Sequence, residues 1–265
     1  MSDDNELQDI TGPLYQQYES LILQRDQLKK EAGSIWTAYL KIFGQLLTES
    51  FRLQVDCIRK KKEISFIMRA INSGSVLNMD EMKEQIETEM TLFQQSLDDL
   101  MEDARDSLVA RISDADTVRK VRQLYRSIAK QIHPDIYPEA MQNETIRDLW
   151  ARAEEAYAAN DLKALTEISV LVQKVLHGGS IPAADLSSRE LQQKISDLKE
   201  EIHTIRTTDP YCLGALLENP DETSRKEEEL KQEIEDYQKY FEELSNTADQ
   251  LLAQPGLRIV WSYRQ

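Results

Sequence analysis

His133 and Asp135 are the residues of this chain whose types and spacing invite a chemical reading. They flank Pro134, so an imidazole and a carboxylate share one turn, where they could exchange a proton or grip a partner. Acid–base catalysis also needs a pocket and a third group to position the pair. A turn supplies neither, and enzymatic chemistry is not expected. Nor do the other reactive residues change this. His133, His177 and His203 lack the spacing of metal ligands, and no glycine-rich phosphate loop or nucleophile motif occurs. Cys57 and Cys212 are far apart in apolar surroundings, which points to neither a disulfide framework nor a metal site. No cofactor or metal is expected. What remains is a contact role, supported by a nearby series of cations at Arg119, Lys120, Arg122, Arg126 and Lys130.

The elements that must position these residues can be read from their periodicity. Val118, Val121, Tyr125, Ile128 and Ile132 recur at three- and four-residue steps, the mark of a helix with one apolar stripe. The cations form a series displaced by one residue, about 100° around the same helix. Asp114 or Asp116 can cap its start, and Pro134 favours an extended His133 that ends it. Ile146, Leu149, Trp150, Ala153, Ala156 and Tyr157 define a second helix, with Asn143 and Thr145 as candidate caps. Two such helices joined by a short polar loop form a hairpin, in which Tyr125 and Ile128 pack on Trp150 and Tyr157. His133 and Asp135 are then expected as exposed loop residues at the tip of a cationic helix.

This arrangement, Tyr125-Arg126-Ser127-Ile128-Ala129-Lys130-Gln131-Ile132 followed by His133-Pro134-Asp135 and by a helix carrying Glu154-Glu155-Ala156-Tyr157, resembles a J domain. That family consists of co-chaperones that activate DnaK-type heat-shock ATPases. The resemblance covers roughly residues 100 to 160, and Ser113 to Arg119 resembles the loop that leads into the family's second helix. It implies that His133, Pro134 and Asp135 engage the ATPase, and that Arg119, Arg122, Arg126 and Lys130 steer docking to an acidic surface. The chain departs from the family at three places. The usual aromatic and glycine-containing opening of the first helix is missing, which leaves that role to the end of the long helix before Ser113. The loop continues as Ile136-Tyr137-Pro138-Glu139, without lysine and asparagine, and Asp161 starts a helix unlike the family's fourth. These departures motivate an alternative, a coiled-coil scaffold or adaptor whose J-like segment lacks chaperone activity.

Composition bounds the remainder. With 40% hydrophobic and 30% charged residues and eight glycines among 265, the chain suits long helices with solvated backs. A formal net charge of −16 disfavours nonspecific nucleic-acid binding, which depends on neutralising phosphates. Arg59-Lys60-Lys61-Lys62 reads as a solvated helix face. No apolar run approaches the roughly 20 residues of a membrane-spanning helix, and the acidic start Met1-Ser2-Asp3-Asp4-Asn5-Glu6 is unlike a signal peptide. A cytoplasmic protein is expected.

An elongated all-α fold follows, made of helical hairpins and coiled coil with the J-like hairpin embedded between them. Residues 1–11 read as a flexible N-terminus and 12–112 as a long antiparallel hairpin, turning at Asn72-Ser73-Gly74-Ser75. Residues 113–177 hold the J-like hairpin and an extra helix that Gly178-Gly179 can stop, 178–255 a C-terminal hairpin, and 256–265 a tail whose alternation suits a short strand or a partner-binding peptide. Leu14, Tyr18, Leu21 and Leu28 form a heptad-like seam interrupted by Arg25. That seam must pack on the C-terminal hairpin or pair between chains, and self-association is the expectation. The expected partners are a DnaK-type ATPase and a client selected by the flanking helices.

Overall fold

The structure, a computed structural model, describes residues 3–109, 114–176 and 187–261, with side chains described from residue 12 to 108 in the first of these stretches. It is all-α. In chain order the elements are α1 (Asp3–Ser73), β1 (Val76–Asn78), α2 (Met79–Val109), α3 (Ala115–Ile132), a 3-10 turn (Pro138–Gln142), α4 (Glu144–Ala158), α5 (Leu162–Leu176), α6 (Ser188–Thr207), α7 (Leu213–Glu218), α8 (Pro220–Leu252) and β2 (Arg258–Val260). Residues 112, 113, 178 and 179, which enter the sequence reading as a helix end, a loop and a helix stop, lie outside the described residues.

Helix starts follow local chemistry. The Asp114 side chain accepts from the amides of Asp116 and Thr117, and Asn143 does the same for Thr145 and Ile146. Each satisfies amides that the first helical turn leaves without a carbonyl. Ser187 and Glu190 form a reciprocal capping box on α6. Asn219 caps α8, with Pro220 in the first turn, where its missing amide costs nothing. Helix α1 already begins at Asp3, ahead of the expected start, and carries Pro13 inside it.

The chain divides into two compact units, Met1–Trp36 with Arg111–Gly214, and Thr37–Ala110 with Ala215–Gln265. This replaces the linear division read from the sequence. In the second unit, Val55, Ile67 and Ala70 of α1 bury against Met82, Ile86 and Met90 of α2 and Ala248 of α8. The expected hairpin of α1 and α2 is present here, with later residues of one arm facing earlier residues of the other. Arg59 pairs with Glu87 and Lys62 with Glu89. Those two cations of the basic run therefore face acids of the same chain. Met82 and Met90 are core, as their flexible thioethers allow. The turn between α1 and β1 uses Gly74 at φ 62°, a conformation that glycine adopts without a Cβ clash. The tail forms the short strand its alternation predicts. Leu77 aligns with Ile259 in parallel β1–β2 pairing, and the Arg258 guanidinium donates to the Gly74 carbonyl.

The first unit corrects three expectations. The end of α2 does not serve as the J-like first helix, since that stretch belongs to the second unit and Leu108 there is exposed. The amino-terminal half of α1 packs there instead, sending Leu23 into the core of α3, α4 and α5. The expected C-terminal hairpin also divides, its first arm α6 in the first unit and α8 in the second. Leu191, Ile195 and Leu198 of α6 bury against Tyr18 and Ile22 of α1 and against Ile136, because their stripe matches the apolar seam of α1. That seam therefore has a partner within the chain, which removes the physical motive for pairing between chains. Ile22, fully buried, is a seam position the heptad reading passed over. Ile22→Val should lower the unfolding free energy of this unit by about 1 kcal/mol without changing the molecular mass in solution, as removal of one buried methylene does. A fall in mass measured by light scattering would return the seam to an interface between chains.

Candidate functional site

The site is built on the α3–α4 hairpin. Val121, Tyr125, Ile128 and Ile132 of α3 and Ile146, Leu149, Trp150, Ala153 and Tyr157 of α4 are buried, so both apolar stripes face one core as their spacing requires. Tyr125 stacks on Tyr157 with ring centroids 3.9 Å apart and lies 5.7 Å from Trp150. Leu165, Ile168 and Val172 of α5 close the same core.

His133 caps α3 with an extended backbone, the conformation that a following proline favours. Its carbonyl accepts from the amides of Ile136 and Tyr137, which tightens the loop into a turn. The side chain, however, is only 3% exposed, a correction to the expected loop histidine. Its ring meets Trp150 edge-on at 4.6 Å. Nδ1 accepts from the Asp135 amide at 3.1 Å, which places the ring proton on Nε2, 3.2 Å from Asp26 Oδ2. The burial has a physical cause in α1, which lays a polar face across the loop.

Asp26 is the centre of that face. It takes hydrogen bonds from the Arg25 guanidinium at 2.8 and 3.0 Å, from the Tyr125 hydroxyl at 3.1 Å and from His133. Burial alone would push its carboxyl up, but the His133 hydrogen bond and the Arg25 charge outweigh that and hold it below the ordinary aspartate value. Arg25 also donates to Asp135 Oδ2 at 2.8 Å, and the Tyr18 hydroxyl donates to the Asp135 carbonyl at 3.1 Å. Burial, with the Asp135 charge second, pushes the Tyr18 hydroxyl up to about 12. Glu154, on the α4 side, is pushed up by burial and then by the charge of Asp26.

The basic stripe is divided in its partners. Arg119 and Lys120 both pair with Asp116 of their own helix, whereas Arg122 faces Glu31 at 3.4 Å and Lys130 faces Glu19 at 2.8 Å. Arg126 is exposed and has no carboxylate partner among the described residues. It lines a polar groove of about 790 Å³ with Lys130, Arg206, Glu19 and Glu31. Lys30 lies over the Tyr157 ring at 3.9 Å and donates to Asn160, and burial, aided by Arg122, lowers its amine to about 8.

His133, Pro134 and Asp135 thus sit together on one turn, with Arg126 and Lys130 on the helix that leads to it. Sequence reasoning assigned Glu19, Arg25, Asp26 and Glu31 no part in the site and read Tyr18 only as a seam residue, although Arg25 interrupting an apolar seam was a visible signal. Among the described residues no cluster of histidine, cysteine and carboxylates could hold a metal ion, and no helix is long and apolar enough to cross a membrane. No protein family, curated protein or solved structure compared with this chain matches it.

Proposed function

We propose that this chain is a J-like co-chaperone that recruits a DnaK-type heat-shock ATPase and stimulates its ATP hydrolysis. His133, Pro134 and Asp135 form the contact loop, while Arg119, Arg122, Arg126 and Lys130 steer docking. The nucleotide and its chemistry belong to the partner, and this chain is not an enzyme. The second unit selects the client or the location, and the reading places the protein in the cytoplasm with its ATPase. One observation carries this: a helical hairpin closed on Tyr125, Ile128, Trp150 and Tyr157 bears His-Pro-Asp at its turn and a cationic helix leading into it.

A second reading is favoured by the burial of His133 against Asp26. In that reading the signature is an internal staple of a helical scaffold without chaperone activity. A steady-state ATPase assay with a purified DnaK-type chaperone separates the two. Stimulation that His133→Gln abolishes supports the co-chaperone, and its absence from both the unmutated chain and a variant with a freed loop supports the scaffold.

Arg126 offers the cleaner test of the stripe, because reversing it disturbs no ion pair among the described residues. Arg126→Glu should slow association with the chaperone roughly tenfold at low salt and weaken the salt dependence, as electrostatic steering requires. Association rates that ignore both salt and this reversal would reduce the stripe to a solvated face.

A further inference from the structure

We infer that the Tyr18–Glu31 segment of α1 is an autoinhibitory strap that holds the J-like contact surface closed. This rests on the co-chaperone reading and adds a control to it. The strap's polar contacts fall on the residues that the proposed function uses. Arg25 and Tyr18 hold Asp135 at its carboxylate and carbonyl, Asp26 holds His133, Glu19 holds Lys130 and Glu31 holds Arg122. Their spacing explains how one helix does this, since Tyr18 and Arg25, and likewise Glu19 and Asp26, are seven residues apart and share a face.

The charges match as well, with carboxylates set on cations and a guanidinium on the carboxylate of Asp135. Apolar packing by Ile22, Leu23 and Leu28 would cover the core without any of these pairings. The strap is graded in strength. Lys130–Glu19 and Arg122–Glu31 join side chains that are partly exposed, and pairs of that kind are weak and screened by salt. At the centre His133 is buried and the Asp26 side chain is only 12% exposed, so the closed arrangement is specific while its edges can yield. A protein in such an equilibrium binds its partner with an affinity reduced by the fraction that is open.

Two sets of variants loosen the strap, Glu19→Lys with Glu31→Lys at the edges and Arg25→Ala at the loop. The readouts are carbethoxylation of His133 by diethyl pyrocarbonate, with exposed His203 as internal control, and stimulation of a purified DnaK-type ATPase by the full chain. In the unmutated chain His133 should react much more slowly than His203. Each loosened variant should raise the His133 rate about tenfold relative to His203 and lower the half-maximal concentration for stimulation by about the same factor, because the open fraction sets both. Circular dichroism that reports unchanged helix content distinguishes opening from unfolding. An unmutated chain that stimulates fully, with no gain in either variant, would overturn the strap and leave the co-chaperone reading standing. A His133 rate that rises in the variants while none of them stimulates would overturn the co-chaperone reading, and the autoinhibitory role with it. A His133 rate that stays low in both folded variants would show that other contacts enclose the loop, and would overturn the strap.

Discussion

His133→Ala should lower the unfolding free energy of the first unit by about 3 kcal/mol, a large effect for a residue expected at a loop tip. Two losses combine. The imidazole leaves a cavity beside Trp150, and removal of a buried side chain of this size carries a cavity cost in addition to lost transfer energy. Asp26 also loses one of its donors, although Arg25 and Tyr125 still serve it, and a hydrogen bond to a charged group contributes about 1.5–3 kcal/mol. The Asp135 amide, bonded to Nδ1, is left to find water. His133→Gln should be milder, since an amide can still donate toward Asp26, so it tests the proposed chaperone stimulation at a smaller cost in stability. Hydrogen exchange of the α3 and α4 amides during urea titration reads this unit separately from the second. An alanine variant as stable as the unmutated chain would mean that His133 is not held as the structure places it.

The contrast shows what could be read from the residues alone. The hairpin was legible because Val121, Tyr125, Ile128, Leu149, Trp150 and Tyr157 announce both periodicity and face, and its caps follow from Asp114 and Asn143. The all-α class and the return of α2 along α1 were legible for the same reason, since a stripe of one helix requires a stripe of another. The exposure of His133 was not. Burial of a polar loop depends on whichever element covers it, and the cover is α1, 107 residues earlier than His133 at Asp26. Periodicity identifies a face in want of a partner, but it does not identify the partner. The seam of α1 illustrates this, because α6 and a second chain present equivalent apolar stripes to a one-dimensional reading. Arg25 was the local clue. A charge within an apolar seam has to be paired when the seam is buried, and Asp26 and Asp135 are the groups that pair it.

Asp26→Ala should be the more damaging substitution, lowering stability by about 4 kcal/mol near neutral pH. Removing one member of a buried ionic cluster leaves the others desolvated without compensation, and losses of this order are typical. Here Tyr125 and His133 lose their acceptor at once, and Arg25 keeps Asp135 while losing its nearer carboxylate contacts. The variant should also alter the response to acid, in a direction set by the held-down carboxyl of Asp26. A carboxylate whose folded value lies below its unfolded value of about 3.9 contributes stability that is complete above that value and is lost as pH falls through the folded one. The unmutated chain should therefore weaken steeply below about pH 4, and the gap between it and the variant should close there. Glu154 acts in the opposite sense. Its raised value favours the folded state while it is protonated, and that contribution disappears as pH rises through the folded value. Because the Asp26 charge is the second cause of that rise after burial, the variant should also show a flatter stability profile just above the unfolded glutamate value. Urea midpoints of both proteins between about pH 2.5 and 7 test the pair of effects together, since the carboxylate values they bracket lie in that span. Parallel profiles across that range would mean that neither carboxyl is coupled to the folding of the loop.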